Sequence, residues 1–379
     1  MTTDTYRETP AVGEQDTTPV QLLSPQGTRA HHDHYAKRVA HLDRDALEGF
    51  YRDMALVRRF DREATALQRH GELGLWPPSF GQEAAQVGSA HATARRDFIF
   101  PSYREHGVAH VRGLDLPDLL PLYRGVAHGG YDPHAHDFTT ASLVIGSHTL
   151  HAVGYAMGIQ RDGDVGTGDP GRDRAVITYF GDGATSQGDV NEALVFAASN
   201  NAPVVFFVQN NQWAISVPAQ TQSPAPIAWR GRGFAIPTVR VDGNDVLACY
   251  AVADEALERA RSGGGPTFIE AVTYRRGAHT TSDDPSRYRT QEEEDHWAQR
   301  DPIDRLRAHL ESLGTAAEFF DKVEQLADEF GAHTREHCRA LEAPAPETMF
   351  DHVYASEHSQ IAYEREWFAD YQAGFEESA

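Results

Sequence analysis

The sequence predicts an α/β protein with a doubly wound parallel sheet, helices on both faces of that sheet, and a helical extension at the C-terminus. Short runs rich in Val, Ile and Phe alternate with helical segments through the middle of the chain. Each run is apolar at nearly every position, which is typical of parallel strands buried on both faces. Beyond residue 290 the strand runs stop, and the sequence becomes helical and acidic.

The first 40 residues show little apolar periodicity. They are rich in Thr, Pro, Gln and His, so we expect a mobile tail or an arm that becomes ordered on a partner. Further along, seven apolar residues recur at three- and four-residue spacing: Leu47, Phe50, Met54, Val57, Phe60, Ala64 and Leu67. This period predicts an amphipathic helix that ends at Gly71.

Four strands and two of the helices between them are expected in the middle of the chain. The strands cover the β-rich runs 175–180, 203–209, 238–243 and 266–274. Helices are expected over 189–201 and after Asn244, whose side chain is the expected N-cap. We therefore divide the chain into an N-terminal arm (1–40), an α/β domain (41–300) and a helical C-terminal extension (301–379).

The charge balance argues against a nucleic-acid partner. The chain carries 34 Lys and Arg against 56 Asp and Glu, and its formal net charge of −22 repels phosphate backbones. The two cysteines, Cys249 and Cys338, exclude a disulfide scaffold and a structural zinc site and fit a reducing compartment. No run of about 18 apolar residues predicts a membrane span, and the N-terminus lacks an apolar signal core. We expect a cytoplasmic protein.

Two further patterns are weak candidates for binding sites. Residues 166–171, GTGDPG, match the Gly-x-Gly-x-x-Gly dinucleotide pattern. They precede a predicted strand instead of following one, and Pro170 interrupts them, so we expect a loop. The histidine-rich segments 31–34 and 134–137 lack a strong metal-ligand spacing, and we expect solvated side chains there.

Two short motifs stand at the ends of consecutive predicted strands: Gly181-Asp182-Gly183 and Asn210-Asn211. In a doubly wound sheet, ligands bind at the carboxyl ends of the strands, so we expect both motifs on one edge. Asp182 offers a carboxylate and Asn211 a carbonyl oxygen, which suit Mg²⁺ that completes its coordination with phosphate oxygens. The glycines allow close backbone approach, and a helix beginning near Ser186 is expected to direct its N-terminus at the anion.

These motifs resemble the thiamine diphosphate motif of the alpha subunits of the 2-oxo acid dehydrogenases. Those subunits belong to the decarboxylating components of the pyruvate and branched-chain complexes, and their fold is the thiamine diphosphate-binding α/β fold. The resemblance extends from about residue 45 to about residue 345. Its other segments are GQEAAQVG (81–88), SYREHG (102–107), TYRRGAHTTSDDPSRYR (273–289) and DPIDRLRAHL (301–310).

The resemblance implies metal and diphosphate ligands. Asp182, the side chain of Asn211 and the backbone carbonyl of Trp213 match ligands of Mg²⁺. Tyr103 and Arg104 match the pair that holds the diphosphate. The planar guanidinium of Arg104 suits that role because it can engage phosphate through two hydrogen bonds.

The resemblance also implies which residues surround the rest of the cofactor. Gly181, Gly183 and Ala184 match residues that line it, and Ile145 matches the bulky residue that props it into a bent form. His279 matches an active-site histidine on a mobile loop. An imidazole that titrates near neutrality can hydrogen-bond an anionic intermediate and transfer protons.

Several positions depart from the family pattern. Thr280 stands where animal relatives have a regulatory serine, so no kinase regulation is carried over. His148 replaces a Gln of a potassium site found in one branch, which argues against potassium here. Gln209 replaces an Arg that some relatives use near the diphosphate, which leaves Arg104 a larger share of that work.

The resemblance implies partners as well. In this family the glutamate that activates the cofactor comes from a separate beta subunit, and this chain has a single α/β domain of the required type. We therefore expect a two-alpha, two-beta heterotetramer with the cofactor at the alpha–beta interface. The acyl product is expected to pass to the lipoyl group of a partner acyltransferase.

The expected substrate is a branched-chain 2-oxo acid such as 3-methyl-2-oxobutanoate. The segments QNNQWAIS and DGNDVLACYAV are more similar to bacterial branched-chain members than to pyruvate enzymes. A pyruvate dehydrogenase and an acetoin dehydrogenase remain alternatives. A non-catalytic scaffold is disfavoured because Asp182, Asn211, Arg104 and His279 are all present.

Overall fold

A computed structural model describes residues 18–376 and contains a five-stranded parallel sheet. The strands are β1 (Phe98–Phe100), β2 (Val176–Gly181), β3 (Val204–Asn210), β4 (Trp213–Ala214), β5 (Val217–Pro218), β6 (Thr238–Asp242) and β7 (Thr267–Val272). The sheet order is β1-β2-β3-β7-β6, while β4 and β5 form a small antiparallel ribbon after β3. The predicted doubly wound class is confirmed.

Helices connect the strands and cover both faces of the sheet. They are α1 (Arg44–Arg69), α2 (Glu83–His91), α3 (His106–Val111), α4 (Leu120–Arg124), α5 (Pro133–His136), α6 (Ser147–Asp162), α7 (Gly188–Asn200), α8 (Ala219–Gln222), α9 (Trp229–Gly233), α10 (Val246–Arg261), α11 (Gln291–Ala298), α12 (Pro302–Ser312), α13 (Ala317–Ala340) and α14 (Ser359–Glu376). The first of them is the predicted amphipathic helix, and the chain leaves it through Gly71, whose φ is +80°.

Alternate residues of the central strands enter two different hydrophobic cores. Ile177 and Tyr179 of β2 face the core shared with α1, α2 and α10. Val176 and Phe180 of the same strand face the core shared with α6 and α7. Because both faces are covered, every residue of β3 is buried, which explains its continuous apolar run.

Two helix starts differ from the prediction. The N-cap of α10 is Asp245, not Asn244: the Asp245 carboxylate accepts from Leu247 N at 3.0 Å and Ala248 N at 3.1 Å. Asn244 instead donates to the Arg300 carbonyl at 2.8 Å. The helix expected near Ser186 begins at Gly188, because a 3-10 turn over Asp182–Ser186 and an extended Gln187 come first. The short strand β1 was not predicted, since three residues carry no measurable period.

Residues 18–40 are ordered on this chain itself, in place of the mobile or partner-bound arm that the composition predicts. Val20 joins the edge strand β6, donating to the Arg240 carbonyl at 2.8 Å and accepting from Asp242 N at 2.9 Å. Leu22 and Leu23 are fully buried, and both of their N–H groups donate to Asp245 Oδ2 at 2.6 Å. Only a few residues hold this segment, and they do not recur at a helix or strand spacing, so no periodic pattern in the sequence indicates them. Residues 1–17 lie outside the described part.

The C-terminal helices divide into a packed pair and an exposed helix. Leu306 and Leu310 of α12 and Phe320 of α13 are buried in the core that contains α1. In contrast, α14 exposes a row of aromatic side chains at four-residue spacing, each more than half accessible: Tyr363, Trp367, Tyr371 and Phe375. The extension is therefore mainly helical, with a non-α-helical stretch over 341–358, and its first two long helices belong to the main core.

The glycine-rich segment 166–171 and the two cysteines have structural surroundings in the fold that agree with the sequence analysis. Residues 166–171 form the expected loop before β2, in which the Asp173 carboxylate accepts from Thr167 N at 2.8 Å and Gly168 N at 3.0 Å. Cys249 and Cys338 are buried free thiols. Among residues 18–376, no helix combines the length and apolarity needed to cross a bilayer.

Candidate functional site

The carboxyl ends of β2 and β3 lie side by side and open onto a cavity of about 420 Å³. Their register pairs Gly181 with Gln209, so the Gly-Asp-Gly and Asn-Asn motifs emerge on the same edge, as the topology predicted. Every residue that the sequence assigned to cofactor or metal lines this cavity: Tyr103, Arg104, Ile145, Gly181, Asp182, Gly183, Ala184, Asn211, Trp213 and His279.

Asp182 is a buried carboxylate without a cation beside it. The residue is 2% exposed, and within the described part of the chain it forms no ion pair. From another side chain it accepts a long hydrogen bond, donated by Gln222 Nε2 at 3.4 Å. Burial raises the pKa of Asp182 to about 6, although backbone hydrogen bonds and the more distant Arg275 oppose the shift. A bound cation would compensate this desolvation.

Asn211 and Trp213 add two further oxygens next to Asp182. Asn211 Nδ2 donates to Gln82 Oε1 at 3.0 Å, which orients the amide. The Trp213 carbonyl accepts from Arg275 Nη1 at 3.0 Å, and its second lone pair remains for another partner. The three candidate ligands are all oxygens, which is the donor set that Mg²⁺ prefers.

Arg104 joins the cavity wall to the segment that carries His279. Its side chain is buried, with Nη1 donating to the Pro78 carbonyl at 2.6 Å and Nη2 to the His279 carbonyl at 2.9 Å. The guanidinium carbon lies 5.3 Å from the centre of the Tyr103 ring. The backbone of Tyr103 is itself held by Tyr123, whose hydroxyl donates to the Tyr103 carbonyl at 2.9 Å.

His279 is a neutral imidazole in this structure, and here the expectation of titration near neutrality is not met. Burial lowers the pKa of His279 to about 4, and the charges of Arg104 and Arg275 add to the effect. Its Nδ1 lies 3.3 Å from Arg104 Nη2. Because a guanidinium can only donate, Nδ1 is the acceptor, and the proton resides on Nε2. His279 is thus a hydrogen-bond donor through Nε2.

The shape of the cavity and its unpaired polar atoms fit a magnesium-bound diphosphate. A Cβ on Gly181 would meet no protein atom within 4 Å, so this glycine leaves open space beside Asp182. A Cβ on Gly183 would lie 2.8 Å from the Ala214 side chain, which requires glycine there. Gln82 Nε2 is buried in the wall without an acceptor, as a donor awaiting an anionic oxygen would be.

Gln82, Glu105 and Arg275 are among the cavity residues that received no role from the sequence. Gln82 holds Asn211, and Arg275 ties the turn after β3 to the 273–289 segment through the carbonyls of Trp213 and Ile215. All three stand inside segments that carry the family resemblance. No local period or motif distinguishes them, because their roles depend on contacts between segments far apart in the chain.

Comparison with known proteins places this geometry in a family. The model of the family described as "Dehydrogenase E1 component" matches residues 51–344. The chain belongs to the dehydrogenase E1 component family. The 3-methyl-2-oxobutanoate dehydrogenase subunit alpha of Mycobacterium tuberculosis (strain H37Rv) is 46% identical over 349 residues, 91% of each chain. The pyruvate dehydrogenase E1 component subunit alpha of Acholeplasma laidlawii is 38% identical over 341 residues, 88% of this chain and 95% of that one. Its counterpart in Bacillus subtilis is 40% identical over 276 residues, 72% of each chain.

Several expectations are confirmed by this membership. The E1 chain is an alpha subunit of a 2-oxo acid dehydrogenase and therefore part of an oxidoreductase. The dehydrogenase E1 family depends on thiamine diphosphate, which agrees with the cofactor expected at the cavity. An alpha subunit also implies a beta subunit and a larger complex.

Proposed function

We propose that this E1 alpha subunit acts with a beta subunit in the thiamine diphosphate- and Mg²⁺-dependent oxidative decarboxylation of a branched-chain 2-oxo acid. The acyl group passes to the lipoyl group of a partner acyltransferase. The observation that carries the metal assignment is the buried Asp182 carboxylate, which lacks an ion pair and faces a cavity with further oxygen donors. The substrate class, 3-methyl-2-oxobutanoate or a close analogue, is supported by the relative with 46% identity.

The residues of this chain bind and orient the cofactor. Asp182, Asn211 and the Trp213 carbonyl hold Mg²⁺, and Tyr103 with Arg104 holds the diphosphate. Thiamine diphosphate, when bound, supplies the electron sink for loss of CO₂ from the 2-oxo acid.

The reacting end of the cavity is formed by different residues. Ile145 supports the bent cofactor, and Gly181, Gly183 and Ala184 line the cavity alongside it. His279 donates from Nε2 to an anionic oxygen of the substrate. A neutral donor suits this position because the guanidinium of Arg104 already supplies the positive charge nearby.

An exposed apolar surface at the mouth of the cavity suits the beta subunit. We define it as the 143–196 surface, formed by Leu143, Val144, Ile145, Val195 and Phe196, which are 58, 71, 37, 40 and 48% exposed. Leu143 and Ile145 also line the cavity, so the surface is continuous with the site. A subunit seated there would close the cavity and bring its own residues to the cofactor, as the expected heterotetramer requires.

Reconstitution with the beta subunit tests this function. We expect the complex to prefer 3-methyl-2-oxobutanoate over pyruvate and over acetoin by at least about tenfold in kcat/KM, the scale set by a hydrophobic pocket. The alpha chain alone is expected to be nearly inactive. A preference for pyruvate or acetoin would contradict the substrate, and robust decarboxylation by the alpha chain alone would contradict the shared site.

A further inference from the structure

Glu105 is a buried carboxylate in the wall of the cavity, next to Arg104 in the sequence. It is 5% exposed. Its Oε1 accepts from Gln209 Nε2 at 2.7 Å, and its Oε2 accepts from Arg104 N at 3.3 Å. These hydrogen-bond donors are an amide and a backbone N–H. Within residues 18–376, Glu105 forms no ion pair, so burial of its ionised form is not compensated by a cation in contact with it.

A chain of amides fixes Glu105 in place. Gln86 Nε2 donates to Gln209 Oε1 at 3.0 Å and to the Arg104 carbonyl at 2.9 Å. Gln86 Oε1 accepts from Gly107 N at 2.8 Å. This network orients the backbone that carries Arg104, but it brings no charge to the carboxylate. Gln209 is therefore a positioning residue for Glu105.

Among the buried groups around Glu105, only Glu105 itself is expected to change its protonation state near pH 7. Burial raises the pKa of Glu105 to about 7, and the backbone hydrogen bond and the charge of Arg104 oppose the rise only in part. Tyr123 and Tyr179 are neutral because burial raises the pKa of each. His106 is neutral because burial lowers its pKa to about 3.

Besides Arg104 and Tyr123, four other titratable groups line the same cavity: Tyr103, Asp182, Arg275 and His279. Each is present whether or not Glu105 is replaced. A comparison between the wild-type chain and a Glu105 variant therefore separates the contribution of Glu105 from theirs.

We propose that Glu105 is a neutral carboxylic acid in the cofactor-bound protein, and that binding of the diphosphate is coupled to uptake of one proton from solvent by this side chain. The inference rests on the proposed function, because it requires the cofactor's diphosphate at the Arg104 end of the cavity. An anion placed beside a carboxylate disfavours its charged form, so the diphosphate and ionised Glu105 exclude one another. Cofactor affinity then falls as the pH rises above about 7.

Calorimetric titration of the alpha–beta complex with thiamine diphosphate and Mg²⁺ tests this coupling. Titrations at pH 8 in buffers of different ionisation enthalpy report the protons taken up. From a pKa of about 7, we expect the wild-type complex to take up close to one proton more than Glu105→Gln. The wild-type affinity is expected to fall up to about tenfold per pH unit above 7 relative to that of Glu105→Gln.

Two further variants sharpen the experiment. Glu311→Gln makes the same change on the surface of α12, where the side chain is 53% exposed, and is expected to behave as the wild type. Gln209→Arg places a guanidinium beside Glu105, which keeps the carboxylate ionised and abolishes the additional uptake. Gln209→Arg therefore tests the proton uptake by Glu105 even if the Glu105→Gln variant fails to fold.

The possible outcomes distinguish failure of the proton coupling from failure of the proposed function. Equal proton uptake by the wild type, Glu105→Gln and Gln209→Arg would overturn the coupling while cofactor binding stands. If the wild-type complex binds no thiamine diphosphate at any pH, the proposed function itself fails.

Discussion

At the scale of single residues, the site is built from buried polar groups that the fold leaves without compensation. Asp182 and Glu105 are buried carboxylates without ion pairs in the described chain, and Gln82 Nε2 lacks an acceptor. Asp301, outside the cavity, shows the opposite arrangement: it is buried but paired with Arg58 at 2.8 Å and with Arg276. Uncompensated burial costs stability and is typical of positions retained for binding.

Asp182→Asn is expected to stabilise the cofactor-free chain while abolishing Mg²⁺-dependent cofactor binding. The pKa of this carboxyl is raised from 3.8 to about 6, so removing its charge is expected to stabilise the fold at pH 7 by about 1–3 kcal/mol. Urea unfolding without cofactor and calorimetric cofactor binding measure the two effects.

Asp245→Asn is the matched control for this exchange. Burial raises the pKa of Asp245 to about 6 as well, but its two oxygens accept four backbone N–H groups. An amide NH₂ in place of one oxygen would leave two of these donors without an acceptor, so this exchange is expected to destabilise the chain. An Asp182→Asn chain that is less stable and binds the magnesium–cofactor complex normally would refute the assignment of Asp182.

At the scale of elements, the segment 277–289 is held against the cavity by contacts from distant parts of the chain. Arg104 binds the His279 carbonyl, and Thr281 exchanges two hydrogen bonds with the backbone of Trp76, at 2.9 and 3.1 Å. Asp283 is the internal anchor: its Oδ2 accepts from His279 N at 2.9 Å and from the Tyr288 hydroxyl. Asp284, in contrast, caps only the 285–287 turn.

Asp283→Ala is expected to loosen the segment 277–289 and to weaken cofactor binding by about tenfold or more. The substitution removes the acceptor of two buried or partly buried donors, a loss of about 1–3 kcal/mol. Hydrogen exchange of residues 277–289 and calorimetric binding measure the effects. Asp284→Ala, the same change one residue later, serves as the control. It is expected to change the hydrogen-exchange rates of residues 277–289 and the cofactor affinity by no more than about twofold. Equal behaviour of the two variants would show that Asp283 does not anchor the loop.

At the scale of the whole molecule, an apolar surface that this chain leaves exposed adjoins the cavity. The helix α6 begins shortly after Ile145 of the 143–196 surface, and an added Cβ on its Gly154 or Gly158 would meet no atom within 4 Å. These glycines leave room for a partner helix to approach closely. This arrangement agrees with the proposed assembly of alpha and beta subunits around the cavity.

Phe196→Asp is expected to weaken association with the beta subunit by at least about tenfold, because it would place a charge in the proposed interface. The isolated chain is expected to keep its unfolding free energy within about 0.5 kcal/mol, since Phe196 is 48% exposed. Sedimentation velocity of alpha–beta mixtures measures association. Leu326→Asp on α13, at 41% exposure, is the control and is expected to associate normally. Normal assembly of the Phe196 variant would exclude this surface as the beta interface.

Much of the fold could be predicted from patterns of residues close together in the sequence. Short runs rich in β-branched and aromatic residues identified β2, β3, β6 and β7, and the apolar run of β3 is continuous over 204–208 because both of its faces are covered. The ordered segment 18–40 and the Asp245 cap were missed for a shared reason. One carboxylate serves both the start of α10 and the backbone of Leu22 and Leu23, which are more than 200 residues away.

The sequence by itself determined the family, the parallel sheet and the residue types that meet at its edge, since these depend on period, spacing and motif. Only the tertiary structure decided the protonation states and the partners of those residues. Burial lowers the pKa of His279, and Arg104, 175 positions away in the sequence, faces the imidazole and adds to the effect. Glu105 lacks a cation because Gln209, 104 positions away, occupies the place beside it. Charge in a protein interior is set by burial and by neighbours, and neighbours are assigned by the fold.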